Sequence, residues 1–294
     1  MSTSARHPDR ERLGPAPGVT LSSCVVAPVS SPPGSPAGKP DAILHPSEAA
    51  QRIDVDRVPA SVRWAGLVDY HWYVGWRADE PHEQLVVPQP RIHLAAEHGR
   101  LLVHGISRDP FRRRLDGIGH TLGAAFHPGG FRPLLRGPVS GLAGRVVPAV
   151  EVLGVDDRPA ARAILDTGDV ATMAAAMEAY LDSVGADPDP AVDEVRALVA
   201  LVEEDRGLIR AEQLAERASM SLRSLQRLFG EYVGIGPKWV VARCRILDAA
   251  VAHRGGPVDW AALAADLGFA DQAHLTRAFT RVVGTPPETY RRKA

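Results

Sequence analysis

Near the end of the chain, five positions recur at one fixed interval. Leu225, Arg227, Phe229, Gly234 and Pro237 are matched 50 residues later by Leu275, Arg277, Phe279, Gly284 and Pro287. Upstream, "LAERASM" at 214–220 parallels "LAADLGFA" at 263–270, with one extra residue in the second copy. A duplicated segment this short must fold as one supersecondary unit built twice. Each copy reads as helix, tight turn, second helix. Ser221 and Asp271 stand where a side-chain oxygen can take an orphan N–H at the start of the second helix. Gly234 and Gly284 stand where a helix ends in a left-handed residue. Pro237 and Pro287 open the segment that follows.

The second helix of each copy divides into two faces. In "SLRSLQRLFGEYVGIGP" (221–237), Arg223, Gln226 and Arg227 share one face, and Leu225, Leu228, Phe229 and Tyr232 the other. "DQAHLTRAFTRVVGTPP" (271–287) repeats the arrangement. The apolar back can anchor such a helix while the polar front remains available. Arg can donate two hydrogen bonds to guanine O6 and N7, and Gln can pair with adenine N6 and N7. A single helix with a polar front is ordinary. Two in tandem suggest a pair of major-groove readers. The intervening "PKWVVARCRILDAAVAH" (237–253) is long enough for about 25 Å of helix, at ~1.5 Å per residue, and could hold two reading helices about 34 Å apart, one turn of B-DNA.

Charge divides the chain in the same place. Residues 206–294 hold 14 Lys and Arg against 8 Asp and Glu, a net of +6, whereas the preceding 205 hold 20 against 27, a net of −7. The overall charge of −1 conceals a basic C-terminal third suited to a polyanion.

At these residues the chain resembles the AraC/XylS family of transcriptional regulators. The matching patterns are "LA…S…L.RLF….G..P" in the first copy and "A..LGF.D..HLTRAF….G.PP..YR" in the second, the latter ending at Tyr290 and Arg291. The resemblance implies a seven-helix domain with two helix–turn–helix units that binds double-stranded promoter DNA. By position it assigns base-facing roles to Arg223, Gln226 and Arg227 in the first unit and to Gln272, His274 and Arg277 in the second. Ala273 stands where many relatives carry a polar residue. The second unit is therefore expected to lean on phosphate contacts through Arg277, Arg281 and its helix N-terminus.

The rest of the chain has a different texture. Residues 1–55 are rich in Pro, Gly, Ser and Ala, without apolar periodicity, and are expected to form a disordered tail. "LVDYHWYVGW", "EQLVVPQ", "RIHLAAEHG", "GRLLVHGIS" and "HTLGAAFHPGGF" are short runs bounded by turn formers, the pattern of a small antiparallel sheet or barrel over 56–155. This block resembles an uncharacterised β-rich domain that precedes some AraC-type DNA-binding domains. In relatives that position holds a sensing or dimerising domain. The resemblance thus implies a possible small-molecule effector, RNA polymerase as a partner and a homodimer. Ala/Leu-rich helices and the linker "GADPDP" are expected over 156–190, then the DNA-binding domain over 191–294. The fold class is α+β: a barrel-like β-rich regulatory domain with following helices, then an all-α domain with two helix–turn–helix motifs.

Several function classes find no support in the residues. Seven of eleven histidines lie between His71 and His127. They form neither His-x-His nor His-Glu-x-x-His, so no metal site is expected. "HPGGF" (127–131) could cradle an anion but more often makes a turn. Trp64, Trp72, Tyr73 and Trp76 could line a pocket, though core is the favoured reading. Cys24 and Cys244 are read as free thiols in a reducing cytoplasm. No catalytic residue set and no cofactor is expected, and no run of apolar residues is long enough to span a membrane. The alternative is a DNA-binding domain fused to an enzymatic or repair-sensor domain. Methyl-accepting chemistry needs a reactive cysteine, and the N-terminal half offers only Cys24, within the tail.

Overall fold

The computed structural model describes residues 53–252 and 258–293. The tail 1–52, with Cys24, and His253 lie outside the described residues. Among the described residues, six strands form one antiparallel sheet: β1 (Ile53–Pro59), β2 (Val68–Val86), β3 (His93–Glu97), β4 (Arg100–His104), β5 (Phe111–Phe126) and β6 (Val146–Pro148). Their spatial order is β1-β2-β5-β3-β4-β6, an open sheet in which β1 and β6 are the edges. β1 begins at Ile53, three residues inside the segment expected to be tail, and pairs along its full length with β2.

The longest pair, β2 and β5, organises the sheet. "LVDYHWYVGW" and "EQLVVPQ", which read as separate runs, fall largely on this one 19-residue strand. The register with β5 shifts between Ala78 and His82. Asp79, Glu80 and Pro81 lie in that shift, where a proline without an N–H costs no ladder bond. A bulge keeps a strand continuous where its sequence looks broken.

Alternation along the strands gives the sheet two different faces. Leu94, Ala96, Leu122, Ala124 and Phe126 are fully buried and belong to the same core as α2 (Arg158–Leu165) and α3 (Val170–Val184), which follow a short α1 (Ala149–Leu153). Ala161, Ile164, Met173, Met177 and Leu181 are the helical side of this core. Helices read from sequence as a connector are therefore the second layer of the N-terminal domain.

Polar clamps fix that layer. Asp157, fully buried, accepts two hydrogen bonds from Arg100 Nε and Nη2, at 3.0 and 2.9 Å, and one from the Leu101 N–H at 2.6 Å. Glu178 on α3 accepts from the Ser61 N–H at 2.8 Å and lies 3.0 Å from His71 Nε2. Trp64 Nε1 donates to Asp182 at 3.0 Å.

Among the described residues, seven helices follow: α4 (Ala191–Glu204), α5 (Ala211–Arg217), α6 (Leu222–Tyr232), α7 (Pro237–Ala252), α8 (Trp260–Asp266), α9 (Gln272–Val283) and α10 (Pro287–Lys293). The chain is α+β, strands first and helices after. No helix among the described residues is long and apolar enough to cross a membrane.

α7 runs through two cores. Val240, Val241 and Cys244 join the large core shared by the sheet, α3, α4, α5 and α6. Ile246 and Ala250 join a second core with Ala264, Leu275, Phe279, Val282, Val283 and Tyr290. Val87, just beyond the end of β2, is buried in this second core, and Leu85 packs on it. The N-terminal sheet thus contributes side chains to the last helix–turn–helix unit.

Candidate nucleic-acid interface

The two repeats fold as the residues require. In α6, Ser221 caps the helix by accepting from the Ser224 N–H at 3.0 Å. In α9, Asp271 accepts from the His274 N–H at 2.6 Å. Gly234 (φ +90°) and Gly284 (φ +83°) follow the helix ends in the left-handed region. The turn before each second helix also repeats. Ser219 (φ 54°) and Gly268 (φ +74°) hold the same left-handed place, with Met220 N–H donating to Ala215 O and Phe269 N–H to Ala264 O. The extra residue of the second copy is Ala270, after the turn.

Each second helix buries its back. Leu225 and Phe229 are fully buried in the first unit; Leu275 and Phe279 are buried in the second. Phe279 also meets Trp260 and Tyr290 edge-on, with ring centroids 6.3 and 5.7 Å apart. The fronts are open. Arg223, Gln226 and Arg227 are exposed on α6, and Gln272, Ala273, His274, Arg277 and Arg281 on α9. Gln272, Ala273, Thr276 and Arg277 border a shallow depression on α9.

The exposed groups are not equivalent. Among the described residues, no carboxylate forms an ion pair with Arg223, Arg227 or Arg277, so their guanidinium donors are available. Arg281 differs: its Nε donates to Asp109 Oδ1 at 2.8 Å, an exposed pair linking α9 to the loop between β4 and β5. The His274 ring lies edge-on to Phe269 at 5.2 Å, which holds it against the preceding turn.

Two members of the basic excess are not surface charge at all. Arg243 and Arg245 on α7 are buried. Arg243 Nε donates to Pro88 O, and Arg245 Nη2 donates to Val202 O, with Nη1 2.8 Å from Asp248 Oδ2. Both pin α7 to its neighbours, and sequence alone could not separate them from groove-facing arginines. Cys244 between them is buried and free, its thiol pushed up to about 11 by burial.

The first unit is also tied to the N-terminal domain, on its rear. Arg132 Nε donates to Glu231 Oε1 at 2.7 Å, and Tyr232 OH donates to Asp189 at 2.9 Å. The "HPGGF" segment lies beside this contact as a turn. Its Gly130 N–H donates to His127 O, and a Cβ on Gly129 would sit 3.2 Å from Val195. A packing turn, not an anion cradle, explains those glycines.

Most histidines of the β-rich block lie apart, whereas His93 and His104 face each other across β3 and β4. His71 is buried against Glu178, His93 accepts from Trp72 Nε1 at 3.2 Å, and His127 Nε2 lies 3.2 Å from Ala65 O. The tryptophans separate. Trp64 is core, Trp72 and Trp76 line a cavity on the other face of the sheet, and Tyr73 packs on the core side.

Comparison with known proteins agrees with this geometry. Residues 214–293 match the family described as a helix-turn-helix domain, and residues 56–148 match a domain of unknown function, DUF6597. An uncharacterized HTH-type transcriptional regulator of Haemophilus influenzae is 28% identical over 96 residues, 33% of this chain and 32% of that protein. A protein of Streptomyces lividans described as an AraC-like transcription regulator is 38% identical over 79 residues, 27% of this chain and 26% of that protein. This chain thus matches a third or less of the length of either relative. The solved DNA-binding domain of AdpA, in complex with a target DNA, is 28% identical, covering 36% of this chain and 92% of that one, with a TM-score of 0.27. The C-terminal part of this chain thus matches a helix-turn-helix domain and is similar there to AraC-like regulators, and the N-terminal part matches a different family.

Proposed function

We propose that this protein is a sequence-specific transcriptional regulator that binds promoter DNA through α6 and α9. The observation that carries this reading is the duplicated unit itself. Two N-capped helices, each with its apolar back buried, leave polar fronts exposed to solvent. Arg223, Gln226 and Arg227 have the donors to read bases from the first unit, and Gln272, His274 and Arg277 from the second. Arg281 contacts phosphate once released from Asp109. The domain beginning near residue 56 supplies regulation, a small molecule bound there altering how the C-terminal domain engages DNA. Cytoplasmic location and an absence of catalysis belong to the same reading.

The test is selection from a random duplex library by the full-length protein at two salt concentrations. Two short sequence blocks about one helical turn (~34 Å) apart are expected. No enriched motif, with affinity falling steeply in salt, would mean phosphate-driven binding alone and would overturn sequence-specific reading.

A further inference from the structure

The face of the sheet turned away from α2 and α3 carries Trp72, Val74 and Trp76. It curls around a cavity of about 430 Å³, the size that holds one drug-sized molecule. Its walls come from all six strands, β1 to β6, and from the segments that follow β2 and β4 and precede β6.

Its chemistry is specific. Trp72 and Trp76 lie flat across β5, because β5 has glycine beneath them. A Cβ on Gly123 would sit 2.3 Å from the Trp72 ring, and one on Gly119 2.4 Å from the Trp76 ring. Two indole faces are thereby presented to the cavity, with Tyr70 and Phe111 beside them. Such surfaces suit a flat ring system by offset stacking and edge contacts.

The charges lining the space are unequal in availability. Glu97 is the buried carboxylate. Burial pushes it up, but His104 and Arg113 outweigh burial and hold it below the usual carboxylate range. Because Arg113 already engages Glu97, a cationic ligand would find no free counter-ion there. Asp109 is likewise engaged, by Arg281. Arg145, by contrast, is exposed among the lining residues and donates only to Gly141 O, at 3.2 Å, among the described residues. Deeper in, Gln89 Oε1 and Arg91 Nε are buried polar atoms without a partner, which a bound polar group could satisfy.

We infer that this cavity binds a flat, largely apolar ring molecule carrying one anionic group, its rings against Trp72 and Trp76 and its anion toward Arg145. This rests on the regulator reading for its purpose but not for its test.

The test is a fluorescence titration of the full-length chain with 8-anilinonaphthalene-1-sulfonate and, in parallel, with uncharged N-phenyl-1-naphthylamine. Both probes are expected to saturate at one per chain, with energy transfer from tryptophan. The chain with Trp72→Phe and Trp76→Phe should lose most of that transfer. Val74→Trp fills the space and should weaken both probes by about tenfold or more. Arg145→Ala, at an exposed position that leaves the fold intact, should weaken the sulfonate about fivefold and leave the uncharged probe unchanged. Non-saturating binding, transfer that survives both phenylalanine substitutions, or equal response of the two probes to Arg145→Ala would overturn the assignment. No DNA is present, so failure here leaves the regulator reading standing, and failure of the duplex selection leaves the cavity standing.

Discussion

Arg281 Nε lies 2.8 Å from Asp109 Oδ1, which joins the exposed side of α9 to the loop between β4 and β5. Two further contacts follow the same seam. A Cβ on Gly284 would sit 3.4 Å from Pro110 and 3.6 Å from Leu85, and Val87 is buried in the core of the second unit. Val87, Asp109 and Pro110 also line the cavity. The wall of the cavity and the support of the second unit are therefore partly the same residues. If the cavity is occupied as inferred above, that shared wall would bring occupation into contact with the support of the second unit.

Asp109→Asn should release Arg281 for phosphate. The pair is exposed, so its loss should change the melting temperature little, in keeping with about 0–1 kcal/mol for surface ion pairs. Affinity for duplex DNA should rise, and the slope of log affinity against log salt should steepen by about one phosphate contact. Electrophoretic mobility shifts across a salt series measure both. An unchanged slope would mean Arg281 does not reach the backbone.

Arg227→Ala should weaken binding to the selected site by about 1–3 kcal/mol and relax preference at one base pair. Its guanidinium is exposed and outside any ion pair with a described residue, so folding should be unaffected. Equal losses on selected and random duplexes would assign Arg227 to phosphate instead.

Val87→Ala tests whether the N-terminal sheet completes the second unit. Removing two buried methyl equivalents, at about 0.8 kcal/mol each plus a cavity term, should cost about 2 kcal/mol. Phe279→Ala in the same core should cost about 3–5 kcal/mol. Trp260 packs on that core, so its fluorescence should report both transitions. A wild-type melting curve for Val87→Ala would show that the sheet does not support this unit.

Ser219 occupies a left-handed position where its counterpart is Gly268. A non-glycine residue there costs about 1–2 kcal/mol, and glycine costs part of that back in unfolded-state entropy. Ser219→Gly should therefore stabilise the protein by about 0.5 kcal/mol, visible as a raised melting temperature. A lowered one would show that the Ser219 side chain contributes something its backbone strain hides.

Acid should destabilise the fold through His93. Burial, then Arg91 and His104, pull its pKa down to about 3, so the folded state holds it neutral to accept from Trp72. The unfolded chain takes up that proton at about 6.5. The stabilising contribution is full above pH 6.5 and is lost as pH falls from there toward 3, at no more than about 1.4 kcal/mol per unit. Glu97, also held below its ordinary value, adds the same sign at lower pH. Thermal melts of wild type and His93→Gln between pH 7 and 4 should diverge at high pH and converge in acid. Parallel curves would mean His93 is not held neutral.

The two helix–turn–helix units were legible in sequence because their caps, turns and helix faces are set locally. A cap bonds three residues on, a left-handed glycine closes its own helix, and a helical face repeats every three to four residues. Ser221, Asp271, Gly234 and Gly284 therefore announce their roles, and Leu225, Phe229, Leu275 and Phe279 separate from the polar fronts by spacing alone. Strand membership was less legible. β5 starts at Phe111 with "FRRRL", a charged run outside the short strand-like runs, and pairing with β2 makes it a strand. The same pairing joins runs on either side of Pro81.

The repeat, its caps and the divided helix faces are what the sequence determined by itself, since each depends on neighbours within about one turn of chain. Tertiary structure alone decided which arginines are surface and which are struts. Arg243 and Arg245 differ from Arg223 and Arg227 only in what packs over them, Pro88 and Val202, 155 and 43 residues away. It likewise decided that Trp72 and Trp76 face a cavity while Trp64 is core, and that Arg281 meets Asp109 across 172 residues. Such relationships rest on sheet register and on which core a side chain enters, and both are set by contacts between segments far apart in the chain.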